Sequence, residues 1–262
     1  LLKTPLVLKI SLAALILLCL VSAVTFILLK EQQTEKTNQA ANIFKDNNIT
    51  VYNFSDYDLI IVSFEDNFDF IYDSSPYLSV NNFAKKYNYR YLINGSFFEP
   101  SKAHAGWLYV LGQTKTQLKK DPQLSHVVRL NYKTGQIDFI QFQQFQPSES
   151  KNDLEFQTGP LIIERNQIKT NYIQQSFNGL SPYKRTLLAY TEEDRRKYFI
   201  IVKRNTKLDQ LSKYLLTLSV FSGKTLSVIN LDGGPSVAMF SKTYPELNFN
   251  ETAILPILLG VK

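Results

Sequence analysis

Asp232 closes an apolar run, Ser227-Val228-Ile229-Asn230-Leu231, and is followed at once by Gly233-Gly234-Pro235-Ser236. The pattern is that of a buried strand delivering a carboxylate to a tight turn. Glycine opens backbone conformations closed to other residues, and proline fixes φ. Small residues in such a turn also let a ligand approach the backbone. A carboxylate held this way can serve as a general base or a nucleophile. Asp-Gly is equally common in plain turns, so the motif alone leaves both readings open.

Three further segments share that form or complement it. Asn94-Gly95-Ser96-Phe97-Phe98 and Thr158-Gly159-Pro160 each follow a strand-like run with a glycine break and polar groups, and Arg185-Thr186 opens a strand after a polar loop. Each has an ordinary structural reading: a turn, a strand kink, a surface charge. As a set they offer more. Asn and Ser supply neutral hydrogen bonds suited to sugar hydroxyls. Arg supplies a planar fork suited to phosphate. With the Asp232 carboxylate, the combination fits a ligand that is both sugar and phosphate.

The segment Asn230-Leu231-Asp232-Gly233-Gly234-Pro235-Ser236 resembles the signature of the phosphodiester glycosidase family, an apolar strand followed by Asn-Leu-Asp-Gly-Gly-Gly-Ser. Asn94-Gly95-Ser96-Phe97-Phe98, Gln157-Thr158-Gly159-Pro160-Leu161 and Arg185-Thr186 are similar to three further family segments and stand in the same order. The likeness runs from about Ile49 to the C-terminus. It departs from the family at Pro235, where a third glycine is usual, and at Ser96, where glycine is common. It also departs at Asn250-Glu251-Thr252-Ala253, where an Arg-Pro pair is often found. The resemblance implies hydrolysis of a sugar-1-phosphodiester between the anomeric carbon and the phosphate oxygen. Asp232, Arg185 and Asn94 would be catalytic, and Gly95, Gly159, Thr186, Gly233, Gly234 and Ser236 would bind substrate. The alternatives are a domain that binds an envelope glycopolymer without cutting it and a tethered structural protein.

His104 and Glu99 lie just beyond the Asn94 segment. They are candidates for substrate contact, as a proton shuttle near pH 7 and as a second carboxylate. His104 and His126 are the only histidines, and they lack the clustered spacing of a catalytic zinc site. No metal and no cofactor is expected.

The elements that would carry these residues are mostly strands. Strand character marks Ile49–Tyr52, Leu59–Phe64, Phe68–Tyr72, Tyr89–Ile93, Trp107–Leu111, Val127–Tyr132 and Ile137–Phe142. It continues in Gln157–Ile163, Thr186–Tyr190, Tyr198–Val202, Leu226–Leu231, Val237–Phe240 and Ala253–Val261. A short helix is predicted over Leu78 to Tyr87. Leu208, Leu211, Leu215 and Leu218 recur at helical spacing, with Thr206 as N-cap and Gly223 as terminator. Gln143–Asp153 and Thr170–Tyr183 read as polar loops. The expected fold is α+β, largely antiparallel sheet with a few inserted helices.

Of the 262 residues 44% are apolar and 13% aromatic, which supports a packed core. Ile10–Leu29 is an uncharged apolar run of bilayer-spanning length, preceded by Lys3 and Lys9. It is read as an uncleaved transmembrane anchor (residues 1–30), with a cleaved signal peptide as the competing reading. Residues 31–48 would form a polar spacer, and residues 49–262 an extracytoplasmic domain. The single cysteine, Cys19, excludes a disulfide within the chain. Three of the 29 basic residues flank the apolar run, leaving 26 against 23 acidic ones. That balance gives no case for nucleic acid as a partner. The expected partners are a glycan or sugar-phosphate substrate and, through the N-terminal helix, the membrane.

Overall fold

The structure is a computed structural model that describes residue 25 and residues 48–53, 58–72, 80–250 and 255–262. The anchor and spacer segments fall outside the described residues, apart from Thr25 and Asn48. Among the described residues no helix is long and apolar enough to cross a membrane. All of them except Thr25 belong to one compact unit, Asn42–Lys262.

Strands β1 (Ile49–Asn53), β2 (Asp58–Phe64) and β3 (Asp69–Tyr72) lead to helix α1 (Val80–Tyr87). Then come β4 (Tyr91–Asn94), β5 (Leu108–Val110), β6 (Gln113–Thr116), β7 (His126–Asn131), β8 (Ile137–Gln141), β9 (Asp153–Thr158), β10 (Leu161–Glu164) and β11 (Gln167–Ile168). Helix α2 (Thr170–Gln175) precedes the long hairpin β12 (Tyr183–Thr191) and β13 (Lys197–Thr206). Helix α3 (Leu208–Leu215), β14 (Leu226–Asn230), β15 (Ala238–Ser241), β16 (Phe249–Asn250) and β17 (Ile257–Val261) complete the chain.

These strands make a seven-stranded sheet in the order β1-β2-β13-β12-β14-β10-β11, and two five-stranded sheets, β16-β15-β4-β17-β3 and β6-β5-β9-β7-β8. Every pairing among the described strands is antiparallel. With its few helices the domain is of the mostly antiparallel α+β kind. The strands that feed these turns are central ones. β14 lies between β12 and β10, β4 between β15 and β17, and β9 between β5 and β7. β4, β9 and β14 are buried along their whole length. Central strands covered on both faces tolerate continuous apolar runs, which explains Tyr-Leu-Ile in β4 and the Val-Ile pair of β14. One core joins the sheets, with Phe68, Phe156, Phe199, Ile229 and Met239 among its members.

The structure corrects several sequence expectations. Gln157–Ile163 is two strands in two sheets: β9 ends at Thr158, the Gly159–Pro160 peptide is cis, and β10 begins at Leu161. The polar loop Thr170–Tyr183 contains α2. Thr206 is not the N-cap of α3. It ends β13, its hydroxyl donates to Arg204 O (3.2 Å), and Lys207 takes the cap position without a side-chain bond. α3 is held instead by burial of Leu208, Leu211 and Leu215, so tertiary packing replaces the cap.

Candidate active site

The site forms where the ends of β14, β4 and β9 meet. Leu231 N donates to Thr186 O (2.8 Å), Asp232 N to Gly95 O (3.1 Å), and Asn230 N to Pro160 O (3.0 Å). Each of the three other sequence segments is thus tied to the acidic turn by a backbone hydrogen bond, although all of them lie far from it in the chain.

Asn94 is the central tie. Its Nδ2 donates to Asp232 O (2.8 Å), while its Oδ1 accepts from Thr186 Oγ1 (2.6 Å) and from Ala238 N (3.1 Å). Asn94 is 1% exposed and Thr186 fully buried. Their polar groups brace both ends of the turn and do not line the open cleft. The turn itself needs its glycines. A Cβ on Gly233 would sit 2.7 Å from Lys184 O, and Gly234 has φ +59°. Gly234-Pro235-Ser236 is a short 3-10 turn, closed by Ser236 N donating to Gly233 O (3.1 Å).

The Asp232 carboxyl accepts the Gly233 N–H at Oδ1 (2.8 Å). Burial raises its pKa to about 6, against the pull of the Ser236 hydroxyl and the Gly233 N–H, which favour the ionised form. A carboxyl so poised changes charge close to neutrality, where a general base or nucleophile works best.

Arg185 reaches the same place from β12. The register of β12 on β13 shifts between Tyr183 and Arg185, an irregularity of the kind that re-aims a side chain beside a site. Its Nε donates to Thr206 O (3.3 Å), and one terminal nitrogen donates to both Asn178 O and Ser181 O (2.7 Å each). Among the described residues no carboxylate forms an ion pair with it. Burial lowers its pKa to about 10, so it remains a cation at neutral pH. The Tyr183 ring lies 5.5 Å from the guanidinium carbon.

Asp232 and Arg185 line one cleft of roughly 280 Å³, together with Asn230, Gly233, Gly234, Ser236, Tyr183 and Gln123. Phe97, Pro235, Ser176 and Asn178 complete its wall. The volume is at the small end for ligand pockets. The loop between α2 and β12 supplies Ser176 and Asn178, and the first residue of β12 supplies Tyr183. Arg185 holds that loop by two of its own carbonyls.

Of the residues singled out in the sequence, Asp232, Arg185, Gly233, Gly234 and Ser236 come together in this cleft. Asn94 and Thr186 stand behind it as braces. Gly95 packs against Ile257, where a Cβ would meet Cγ2 at 2.5 Å. Gly159 lies against Gln123 and Ser125, with its carbonyl accepting from Asn230 Nδ2. Ser96 Oγ donates to Gln157 O (2.8 Å). His104 and Glu99 are elsewhere. His104 is 2% exposed, its Nδ1 meets Gly106 O (3.1 Å), its ring is edge-on to Phe70, and burial lowers its pKa to about 4. A ring so held stays neutral near pH 7, which departs from the shuttle expectation. Glu99 is ion-paired with Lys119 on a loop outside the cleft wall.

Tyr183, Asn178, Gln123 and Asn230 were missed as cleft residues. Asn230 sat inside the quoted motif and could have been weighed with Asp232. Asn178 lies in an irregular loop, Gln123 in a short 3-10 turn and Tyr183 at the first position of β12, where composition carries no positional signal. Among the described residues no cluster of three or more His, Cys, Asp or Glu side chains could hold a metal ion.

An antiparallel α+β domain thus brings a carboxyl and a buried cation to the wall of one small cleft. The family model for phosphodiester glycosidases matches residues 87–257, and the chain belongs to that family. The fold is similar to the catalytic domain of zebrafish N-acetylglucosamine-1-phosphodiester alpha-N-acetylglucosaminidase, solved in a form auto-inhibited by its pro-peptide. That likeness has 16% identity and a TM-score of 0.57, and covers 82% of each chain. It is also similar to a protein of Burkholderia pseudomallei K96243 described as exported, at 10% identity and TM-score 0.53, covering 79% of this chain and 74% of that one. At these identities the likenesses speak for the fold. No curated protein matches the sequence.

Proposed function

We propose that the domain hydrolyses a sugar-1-phosphodiester, breaking the bond between the anomeric carbon and the phosphate oxygen. The observation that carries this reading is the shared cleft of Asp232 and Arg185. The Arg185 guanidinium neutralises the phosphate with the donors left over from its three carbonyl bonds. A phosphate so paired is a good leaving group and needs little acid assistance. Asp232, ionised above about pH 6, acts at the anomeric centre as base or nucleophile, where positive charge builds in the transition state. The Gly233 N–H is already taken by the Asp232 carboxyl, which leaves Gly234 as the backbone donor of the turn for an anion.

The reading is tested by assaying release of a reducing sugar from a GlcNAc-1-phosphodiester with wild-type protein and with Asp232→Asn. Wild-type turnover and at least about a 10²-fold loss in the variant support it. Equal turnover by both removes Asp232 from the chemistry. Tight binding without cleavage by the wild type favours a glycopolymer-binding domain.

The apolar run Ile10–Leu29 further supports a membrane tether, with the domain on the extracytoplasmic side. Resistance of the full chain to alkaline carbonate extraction, with protease access to the domain from outside, is the expected outcome. Release into the soluble fraction contradicts it.

A further inference from the structure

We infer that Asn230 Oδ1 is a specificity-determining acceptor for a hydrogen-bond donor on the bound sugar. The inference rests on the cleft being a sugar-phosphate site. Asn230 lines that cleft and is 2% exposed. Its Nδ2 donates to Gly159 O (3.1 Å) and Leu231 O (2.6 Å), which sets the amide orientation, because the flipped amide would place oxygen against two carbonyls. Its backbone is also spoken for: N donates to Pro160 O and O accepts from Thr158 Oγ1 (3.1 Å). Oδ1 alone accepts nothing. Of the buried side-chain polar atoms without a partner among the described residues, it is the one whose residue lines the cleft.

A buried acceptor left unpaired is unfavourable, and native interiors rarely leave one so. A rigid acceptor in a binding cleft gains most from a ligand that donates to it, and it rejects an analogue that cannot. The donor it suits is neutral, an N–H or O–H. A phosphate oxygen would be repelled, so the sugar donor is assigned to Oδ1 and the anion to Arg185. Two sugar groups share the required chemistry, a ring hydroxyl and the N–H of an acetamido substituent. Asn230 acts on the reaction by orienting the sugar.

The experiment is calorimetric titration of wild type and Asn230→Ala with glucose-1-phosphate, its 2-, 3- and 4-deoxy forms, and N-acetylglucosamine-1-phosphate. The phosphodiesters of the same sugars are assayed for hydrolysis alongside. The expected result is one position at which loss of the donor weakens wild-type binding about 10–100-fold, while the same loss changes the variant's affinity by less than about twofold. Position 2 with recovery in the acetamido sugar assigns the amide N–H; any other position assigns a hydroxyl. Donor-dependent binding without hydrolysis sustains the inference and sinks the proposed reaction. Hydrolysis in which every deoxy sugar affects wild type and variant alike overturns the inference and spares the reaction. Failure of every sugar phosphate to bind also overturns it. Should Asn230→Ala not fold, a crystal structure of the wild-type complex decides, with Oδ1 at about 2.7–3.2 Å from a ligand N or O supporting the assignment and no such contact overturning it.

Discussion

Asp232 is held in tension between burial, which favours the neutral acid, and two hydrogen bonds that favour the carboxylate. Its folded pKa of about 6 lies above its value of 3.8 as a free side chain. Between those values the folded state binds more protons than the unfolded one, so this group's contribution to stability falls as pH rises. Asp232→Asn therefore stabilises the fold at pH 7 by up to about 3 kcal/mol, the size of the shift, and the gain disappears below about pH 4. Thermal melts of both proteins across that range check the sign; a variant less stable at pH 7 contradicts it. The same value places the acidic limb of kcat/KM near pH 6, with activity rising as Asp232 ionises. A rate flat from pH 5 to 7 counts against Asp232 as the titrating group.

Arg185 does two jobs with one guanidinium. Its bonds to Asn178 O and Ser181 O hold the loop, its bond to Thr206 O ties the side chain to β13, and its charge lies on the cleft wall. Lysine keeps the charge but lacks the planar fork that meets three carbonyls. Arg185→Lys should thus lose more than tenfold in kcat/KM, largely through KM, as the loop that carries Ser176 and Asn178 loosens. Hydrogen exchange confined to residues 176–183 would report that loosening, and unchanged kinetics would refute it.

Among the elements, the acidic turn depends on the end of β12 running directly beneath it. Gly233→Ala puts a methyl 2.7 Å from Lys184 O, a backbone atom that has little freedom to move. The substitution should destabilise by about 1–3 kcal/mol and shift Asp232 out of register with Arg185. Denaturant midpoints and activity measure both effects, and a fully active, equally stable Gly233→Ala protein would show that the turn has slack.

How much of this could be read from the chain follows from where each signal resides. The central strands β4 and β14 were visible because continuous burial writes an apolar run. β9 was largely hidden because its core residues Leu154 and Phe156 alternate with Asp153, Glu155 and Gln157, which are buried as well. Glu155, fully buried, accepts from Trp107 Nε1 (2.9 Å) and Arg129 Nε (2.6 Å), and Gln157 donates through Nε2 to Lys119 O and Leu124 O. Satisfied burial of polar residues leaves only the short Leu154/Phe156 alternation, which looks in sequence like a half-exposed segment. The edge strand β6, Gln-Thr-Lys-Thr, is exposed and carries no apolar pattern at all. The acidic turn and Arg185 were legible from residue type. The bracing role of Asn94 was not, because a side chain that ties three segments looks in sequence like one that binds a ligand.

At the scale of the whole domain, three sheets share one core, and the two histidines lie inside it. Burial lowers both His104 and His126 to about pKa 4, below the 6.5 of a free side chain. Between those values the unfolded chain binds more protons than the folded one, so the contribution to stability is complete above about pH 6.5 and is lost as pH falls toward 4. Together they should remove a few kcal/mol over that interval. A steep fall in melting temperature between pH 6.5 and 4, reduced in His104→Gln and His126→Gln, is the expected result. A melting temperature independent of pH there would place the imidazoles in contact with water.

The convergence of carboxyl and guanidinium on one sugar phosphodiester is tested most directly by the bond that breaks. Hydrolysis of a GlcNAc-1-phosphodiester in ¹⁸O-labelled water should place the label on the anomeric oxygen of the released sugar and leave the phosphate monoester unlabelled, as read by mass spectrometry. Label in the phosphate would mean attack at phosphorus and would contradict the role given to Asp232 at the anomeric centre.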